Sequence, residues 1–509
     1  MTAVPVRSVD PRTGKPGDEV AVEATAHGVD AAVRAAEAAR EALADRVRRV
    51  AFLRAAADLL ADAVEDLVTT ADAETALGPV RLRGELARTT GQLRAFATVV
   101  EGGGFLDVII DRAAPDATPP VPDLRRYKLP LGVVAVYSAS NFPFAFSVPG
   151  GDTASALAAG CPVVVKAHPD HPATSEACAA LLRRAARETG LPEDTVGLVH
   201  GFEAGVELVK HPLVAAAGFT GSIRGGRALF DAAAARPVPI PFHGELGSLN
   251  PVVVTEAAAT ERSEQIGAGL AGAMTLGVGQ FCVKPGLVLV PEGPGGDGLV
   301  DALTEALDGS GPGVLLDHRM RDNFVAGVAE RAALEDVGTP VTPGAGDEHT
   351  VRAGFLTVPA ARLADAGGHD LLLEECFGPV TVVARYGSDA EATAVLSRLP
   401  GNLSATLHLS AAETAGEGDG AALLAGLTPL AGRVLVNDWP TGVAVTPAQH
   451  HGGPYPATTS TGSSVGGTAI ERWLRPVAYQ STPEALLPPE LRDDNPLGLP
   501  RRVDGRRED

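Results

Sequence analysis

Apolar residues recur at every third or fourth position across residues 27–63, where Ala, Val and Leu are separated by Arg and Glu, and the same texture runs on to residue 100. A stripe of that period is the mark of amphipathic helix. The period breaks at about residue 103, and the Pro-rich stretch that follows, to residue 131, holds two pieces able to form extended ribbon, as an arm would. From residue 132, short β-branched runs alternate with Ala-rich ones: strands are expected at 132–137, 162–166 and 196–200, and helices at 149–160 and 175–189. A second series from about 245 has strands in PVVVT, GLVLVP, VTVVARY and GRVLVND, with helices around 261–276 and 319–335. Strand alternating with helix implies crossover connections and parallel sheet, hence an α/β fold. Such sheets bind ligands beyond the carboxyl ends of their strands. Residues 450–509 are rich in Gly, Pro, Ser and Thr; a short helix is expected near 465–475, and the charged end DGRRED reads as a frayed tail.

Composition narrows the class. Hydrophobic residues are 45% and charged residues 21%, which is globular. Forty-two basic against 63 acidic residues give a net charge of −21, which favours solubility and argues against a nucleic-acid binder. The four cysteines form no C-x-x-C pair, so a disulfide framework and a zinc knuckle are both unexpected and a reducing compartment is the simpler reading. The N-terminus lacks the apolar stretch of a signal peptide, and no run approaches the ~18 apolar residues of a membrane span. A cytoplasmic protein with no membrane partner is expected. His168 and His171 are three apart with no third ligand in view, so no metal is expected. Gly462-Ser-Ser464-Val-Gly466 matches G-x-S-x-G, but a hydrolase elbow needs a strand before it and a histidine after it, and the last His is His451.

Four turn-like segments stand out as carriers of chemistry: Ser138-Ala-Ser-Asn141-Phe-Pro143, Phe219-Thr-Gly221-Ser222, Glu245-Leu-Gly247 and Gly279-Gln-Phe-Cys282. Cys282 is the candidate nucleophile, because a thiolate adds readily to a carbonyl and the nearby Gly279, Pro285 and Gly286 suggest an open loop. Cys161, Cys178 and Cys376 read as structural. Glu245 is the candidate general base, since small and apolar neighbours would desolvate it. Asn141 has an amide that could donate to an oxyanion or merely hold a turn.

Together with Glu374-Glu375-Cys376-Phe377-Gly378-Pro379, these segments resemble the aldehyde dehydrogenase superfamily in its order and approximate spacing, over nearly the whole chain. The resemblance implies a Rossmann-type cofactor domain over 1–112 and 131–244 and an oligomerisation arm over 113–130 with part of the C-terminal tail. It further implies a catalytic domain over 245–450 and a segment over 451–509 that closes the substrate site. It assigns Cys282 as nucleophile, Glu245 as the base that activates water, and Asn141 with the Cys282 amide as oxyanion donors. Gly221, Ser222 and Gly226 would form the turn that approaches the cofactor pyrophosphate, with Lys166 on the adenosine ribose, Glu375 on the nicotinamide ribose and Phe377 beside the nicotinamide. A homodimer or homotetramer is implied.

Longer stretches, among them GQFCVKPG and GGPYPATTSTGSSVGGTAIERWLRPVAYQ, are similar to the 2,5-dioxovalerate (2-oxoglutarate semialdehyde) dehydrogenases within that superfamily and to its long-chain NADP-preferring members. Many NAD-using members have a glutamate three residues after the strand-end lysine. Here that position is Pro169, which removes a charge opposed to a 2′-phosphate, so NADP is expected, with NAD possible. Lys284 is a candidate partner for a substrate carboxylate. Rival readings are an enzyme for another semialdehyde or a long-chain aldehyde, a CoA-acylating dehydrogenase, and a non-catalytic scaffold of the same fold.

Overall fold

The computed structural model describes residues 4–508; the outermost residues of the first and last expected segments lie outside that range. The N-terminal period is realised as helices Ala26–Ala39, Arg46–Asp62, Val64–Thr75 and Pro79–Gly102. Asp45 caps the second by accepting from the amides of Val47 and Arg48. Pro79 opens the fourth and Gly103, at φ 69°, closes it. Their apolar faces, with Phe52, Leu53, Leu82, Leu93 and Phe96 fully buried, cover one side of the first parallel sheet. Each such side chain contributes about 1.5–3 kcal/mol.

That sheet runs in the order Val196–Val199, Val163–Lys166, Val133–Tyr137, Val214–Thr220, Phe242–Glu245, all parallel. The central strand Val133–Tyr137 is buried along its whole length, which is why it is an unbroken apolar run. The strand order reverses beside it. The carboxyl ends of the strands therefore bring Lys166, the 138–141 turn, Thr220–Ser222 and Glu245 to one edge.

The second sheet has seven strands in the order Gly338–Val341, Gly354–Pro359, Val380–Tyr386, Leu287–Pro291, Val252–Val254, Asn402–His408, Ala431–Val436. Only the first of these is antiparallel to its neighbour. Helices Glu256–Thr275, Pro294–Asp308 and His318–Ala332 flank it.

A third sheet holds the segment expected as an arm, in the order Leu474–Gln480, Leu124–Pro130, Val108–Asp111, Arg501–Val503, Arg506–Glu508. Three sequence expectations change here. The arm's first strand begins at Val108, ahead of residue 113. The helix expected near 465–475 is a 3-10 stretch, Gly467–Trp473, followed by an arm strand. Trp473 is completely buried with its indole N–H donating to Ser155 at 2.7 Å, and Pro476 excludes helix beyond it. As far as Glu508 the charged end is paired, because Val503 is buried, the Asp504 amide donates to Ile110 at 2.8 Å and Arg506–Glu508 pairs with Arg501–Val503. A further hairpin, Pro5–Asp10 with Lys15–Val22, precedes the first helix. No helix among the described residues is long and apolar enough to cross a membrane.

Candidate active site

Cys282 stands at the end of a loop whose backbone is unusual. Gly277, Val278 and Gly279 are all left-handed, at φ 56°, 59° and 68°. Such a run is costly for Val278, a β-branched residue. The cost is met by neighbours. A Cβ on Gly279 would lie 2.4 Å from the Gly378 carbonyl, so the loop backs directly onto the Phe377-Gly378-Pro379 turn. Gln280 is fully buried and accepts from the Leu316 amide at 3.0 Å. Asn250 donates from Nδ2 to the carbonyls of Cys282 at 2.8 Å and Lys284 at 3.0 Å. Asn402 in turn accepts from the amides of Leu249 and Asn250, each at 3.0 Å. This satisfied polar network fixes the nucleophile against the second sheet.

Glu245 ends the last strand of the first sheet and is 3% exposed. Two residues that sequence reasoning missed hold it. His451, 1% exposed, presents Nε2 at 2.9 Å from the Glu245 carboxylate and 3.7 Å from the Cys282 sulfur. Ser464 donates a short hydrogen bond to the other carboxylate oxygen, and its hydroxyl also lies 3.2 Å from the His451 carbonyl. The G-x-S-x-G segment therefore does reach the site, with its serine facing the base instead of acting as a nucleophile. The ligand atoms of Glu245, Cys282 and His451 lie within 4.8 Å of one another. His451 could have been sought in the sequence only as the sole partner able to bridge the other two, and nothing in its local surroundings marks it.

The electrostatics follow from burial and these contacts. Burial pushes the Cys282 thiol well above its ordinary value, and the charges of Glu245 and Glu375 push the same way. Burial also raises the Glu245 carboxyl, but the charge and hydrogen bond of His451, with those of Ser464 and the thiol, outweigh it and leave the group below the usual carboxylate range. The resting pair is a neutral thiol beside an ionised carboxylate.

Asn141 is 8% exposed and donates from Nδ2 to the Gln280 carbonyl at 2.9 Å, which sets its amide beside the nucleophile loop. Arg81 holds it from the helix Pro79–Gly102, donating to the Asn141 carbonyl at 2.6 Å while its guanidinium stacks on the rings of Phe142 and Phe281.

The expected cofactor residues line the strand edge. Ser222 caps the helix Ile223–Ala234, accepting from the Gly225 amide at 3.2 Å, and the helix start is exposed. A Cβ on Gly226 would lie 2.1 Å from Leu246, and one on Gly221 2.8 Å from the Phe219 ring. The glycines thus keep this helix start close to the strand ends, a cradle suited to a pyrophosphate. Lys166 is half-buried at the end of its strand, with the charges of Asp170 and Glu23 acting on it. Glu375 lies against Gly247, where a Cβ would come within 2.4 Å of its carboxylate. Burial pushes Glu375 up to about 7, opposed by Lys284. Phe377 is half-buried beside the loop-backing Gly378. These residues fit a dinucleotide.

Lys284 differs from its expected place. It is 3% exposed, and its ammonium donates to the Val380 carbonyl at 2.5 Å, among Ser248, Glu375 and Cys376.

A model of the aldehyde dehydrogenase family matches residues 2–476. The chain is 44% identical to alpha-ketoglutaric semialdehyde dehydrogenase 2 of Azospirillum brasilense, over 99% of this chain and 96% of that one. It is 41% identical to alpha-ketoglutaric semialdehyde dehydrogenase of Acinetobacter baylyi, over 98% and 95%. In structure it is similar to an NADP-dependent enzyme of E. coli, with a TM-score of 0.79, 24% identity and 94% of each chain covered. It also resembles an aldehyde dehydrogenase of Physcomitrella patens solved with succinate, with a TM-score of 0.78, 21% identity and 96% of each chain covered. On the family match and the full-length relatives, the chain belongs to the aldehyde dehydrogenase family.

Proposed function

We propose that the protein oxidises 2-oxoglutarate semialdehyde (2,5-dioxopentanoate) to 2-oxoglutarate through a thioester on Cys282, with NAD(P) as oxidant. The observation that carries the chemistry is the convergence of the Cys282 sulfur, the His451 Nε2 and the Glu245 carboxylate within 4.8 Å. The substrate rests on the full-length similarity to two proteins named for it.

The residues divide the work as follows. The ionised Glu245 carboxylate, hydrogen-bonded to the thiol, takes the thiol proton and passes it to solvent, while the Nε2–H of His451, 2.9 Å away, holds the carboxylate in place. The thiolate adds to the aldehyde carbon. The oxygen of the thiohemiacetal rests on the Asn141 amide and the Cys282 N–H, donors of which each contributes about 3 kcal/mol in enzymes of this kind. A dinucleotide held by Lys166, the Ser222 helix start and Glu375 supplies the chemistry of accepting the hydride. Glu245, aligned by Ser464, then removes a proton from the water that cleaves the thioester, which releases the acid and restores the thiol. A CoA-acylating enzyme has no need of this carboxylate.

The finer cofactor reading is NADP over NAD. It rests on Pro169, exposed at the third position after Lys166, which sets no carboxylate against a 2′-phosphate there. Asp170 and Glu23 near Lys166, and Glu203 in the first turn of Phe202–Lys210, weigh the other way, so the preference is expected to be small. Assembly as a homodimer or homotetramer through the arm sheet, and a cytoplasmic location, belong to the same reading.

The test is steady-state reduction of NADP and of NAD by the purified protein with 2-oxoglutarate semialdehyde, succinate semialdehyde and a long-chain aldehyde, beside Cys282→Ala. The expected result is the highest kcat/KM with the oxo-acid semialdehyde and silence in the variant. A higher value with another aldehyde overturns the substrate, and activity in Cys282→Ala overturns the mechanism.

A further inference from the structure

The substrate just proposed carries a carboxylate at the end opposite its aldehyde, and a buried anion needs a cation beside it. Lys284 does not offer one, since its ammonium is bound inward to Val380. The long helix Pro79–Gly102 turns Arg81, Glu85 and Arg88 toward the site at successive turns of one face. Arg81 is engaged by the Asn141 carbonyl and two phenylalanine rings.

Arg88 is placed differently. Its guanidinium lies 5.6 Å over the ring of Phe146, whose centroid is 6.1 Å from the His451 ring, which in turn meets the nucleophile. Its Nε makes one long hydrogen bond, 3.4 Å, to the Val443 carbonyl, and its Nη1 is buried with no partner. Val443 and Cys282 pack against the same apolar set, Val283, Leu403 and Ala457. The charges of Glu85, Cys282 and Glu245 all act on Arg88. Both carboxylates in that group are otherwise held. Glu85 accepts at Oε1 from the amides of Phe144 and Ala145, with Oε2 buried and without a partner, and Glu245 is taken by Ser464 and His451. Arg433 holds the same segment: its two terminal nitrogens donate to the Pro440 and Gly442 carbonyls, so residues 440–443 are bonded to two arginines.

We infer that Arg88 receives the far carboxylate of the substrate, with Arg433 as a positioning residue that fixes the 440–443 segment. The inference rests on the proposed substrate. Four carbon–carbon bonds of about 1.5 Å each carry the carboxylate roughly 5 Å from the aldehyde carbon when extended. The Phe146 ring meets both the Arg88 guanidinium and the His451 ring, and the charge of Cys282 acts on Arg88. A guanidinium also suits the 2-oxo acid end, whose carboxylate and adjacent ketone oxygen present a planar pair of acceptors.

The test compares wild type with Arg88→Gln and Arg88→Lys on 2-oxoglutarate semialdehyde and on pentanal, an uncharged aldehyde of the same length. Arg88→Gln is expected to lose roughly 10- to 100-fold in kcat/KM for the semialdehyde, mainly through KM, with pentanal changed less than about threefold and Arg88→Lys between the two. An equal loss on both aldehydes overturns the inference and leaves the substrate assignment standing. A wild type that prefers pentanal overturns the substrate assignment itself. A measurement on wild type alone guards against a variant that does not fold: glutarate is expected to protect Cys282 from iodoacetamide at much lower concentration than the neutral glutaramide, and equal protection overturns the inference.

Discussion

In the proposed mechanism Glu245 removes the proton in both halves of the reaction and His451 acts through it. Glu245→Gln is expected to slow both the first-turnover burst of reduced cofactor and steady-state turnover, by about 10²- to 10⁴-fold. His451→Asn, which removes a group that holds the carboxylate and leaves the base itself, is expected to slow both by less. A burst of full size and rate in Glu245→Gln would remove the carboxylate from the first step. At this scale the sequence was informative only where chemistry is written locally. Cys282, Glu245 and Asn141 each sit in a short turn with glycine or proline beside it. His451 and Ser464 do not: Ser464 bonds to a carboxylate 219 positions away, and its own segment looked like a hydrolase motif without its context.

The elements were legible to the extent that burial was apolar. Val133–Tyr137, Leu287–Pro291 and Val380–Tyr386 are runs of β-branched residues and were readable as buried strands. Asn402–His408 was not, because its sequence NLSATLH places Asn, Ser, Thr and His in the interior, with Asn402 and Ser404 bonded to Ser248 and Asn250. The catalytic loop is the element under most constraint. Gly279→Ala would combine a left-handed backbone, which costs a non-glycine residue about 1–2 kcal/mol, with a Cβ 2.4 Å from a carbonyl that cannot yield. A lowered melting temperature and a large loss of kcat are expected. Gly84→Ala is the matched control, since a Cβ there meets nothing within 4 Å and the helix gains up to about 1 kcal/mol. Thermal unfolding of both variants decides the matter: if Gly279→Ala melts with Gly84→Ala, the loop is not constrained as described.

Over the whole molecule, the segment that sequence patterning read least well ties the arm to the body. Leu487, Leu491, Leu499 and Val503 are buried, and Arg125, 6% exposed, is neutralised by Asp123, Glu484 and Asp493 and bonded to the Leu491 carbonyl. Removing residues 483–509 would strip two of those carboxylates and the Leu491 carbonyl from Arg125, together with the buried Leu487, Leu491, Leu499 and Val503. Soluble yield and melting temperature are both expected to fall sharply, and an unchanged melting temperature would show that the hairpin merely decorates the surface. The tail was illegible because its strands are three residues long and mostly charged outward, so that only pairing with Val108–Asp111 makes them strands.

The dependence of Glu245 and Cys282 on His451 and Ser464 also orders events in time. Cys282 and Glu245 both leave the ribosome well before those partners. At about 5–20 residues per second, the stretch from Cys282 to Ser464 takes roughly 10–40 s to synthesise. Until residues 451–464 follow, the carboxylate has neither His451 nor Ser464 to hold it. The growing polypeptide thus carries an incomplete site, and the arrangement is assembled only as that late segment closes over the strand ends.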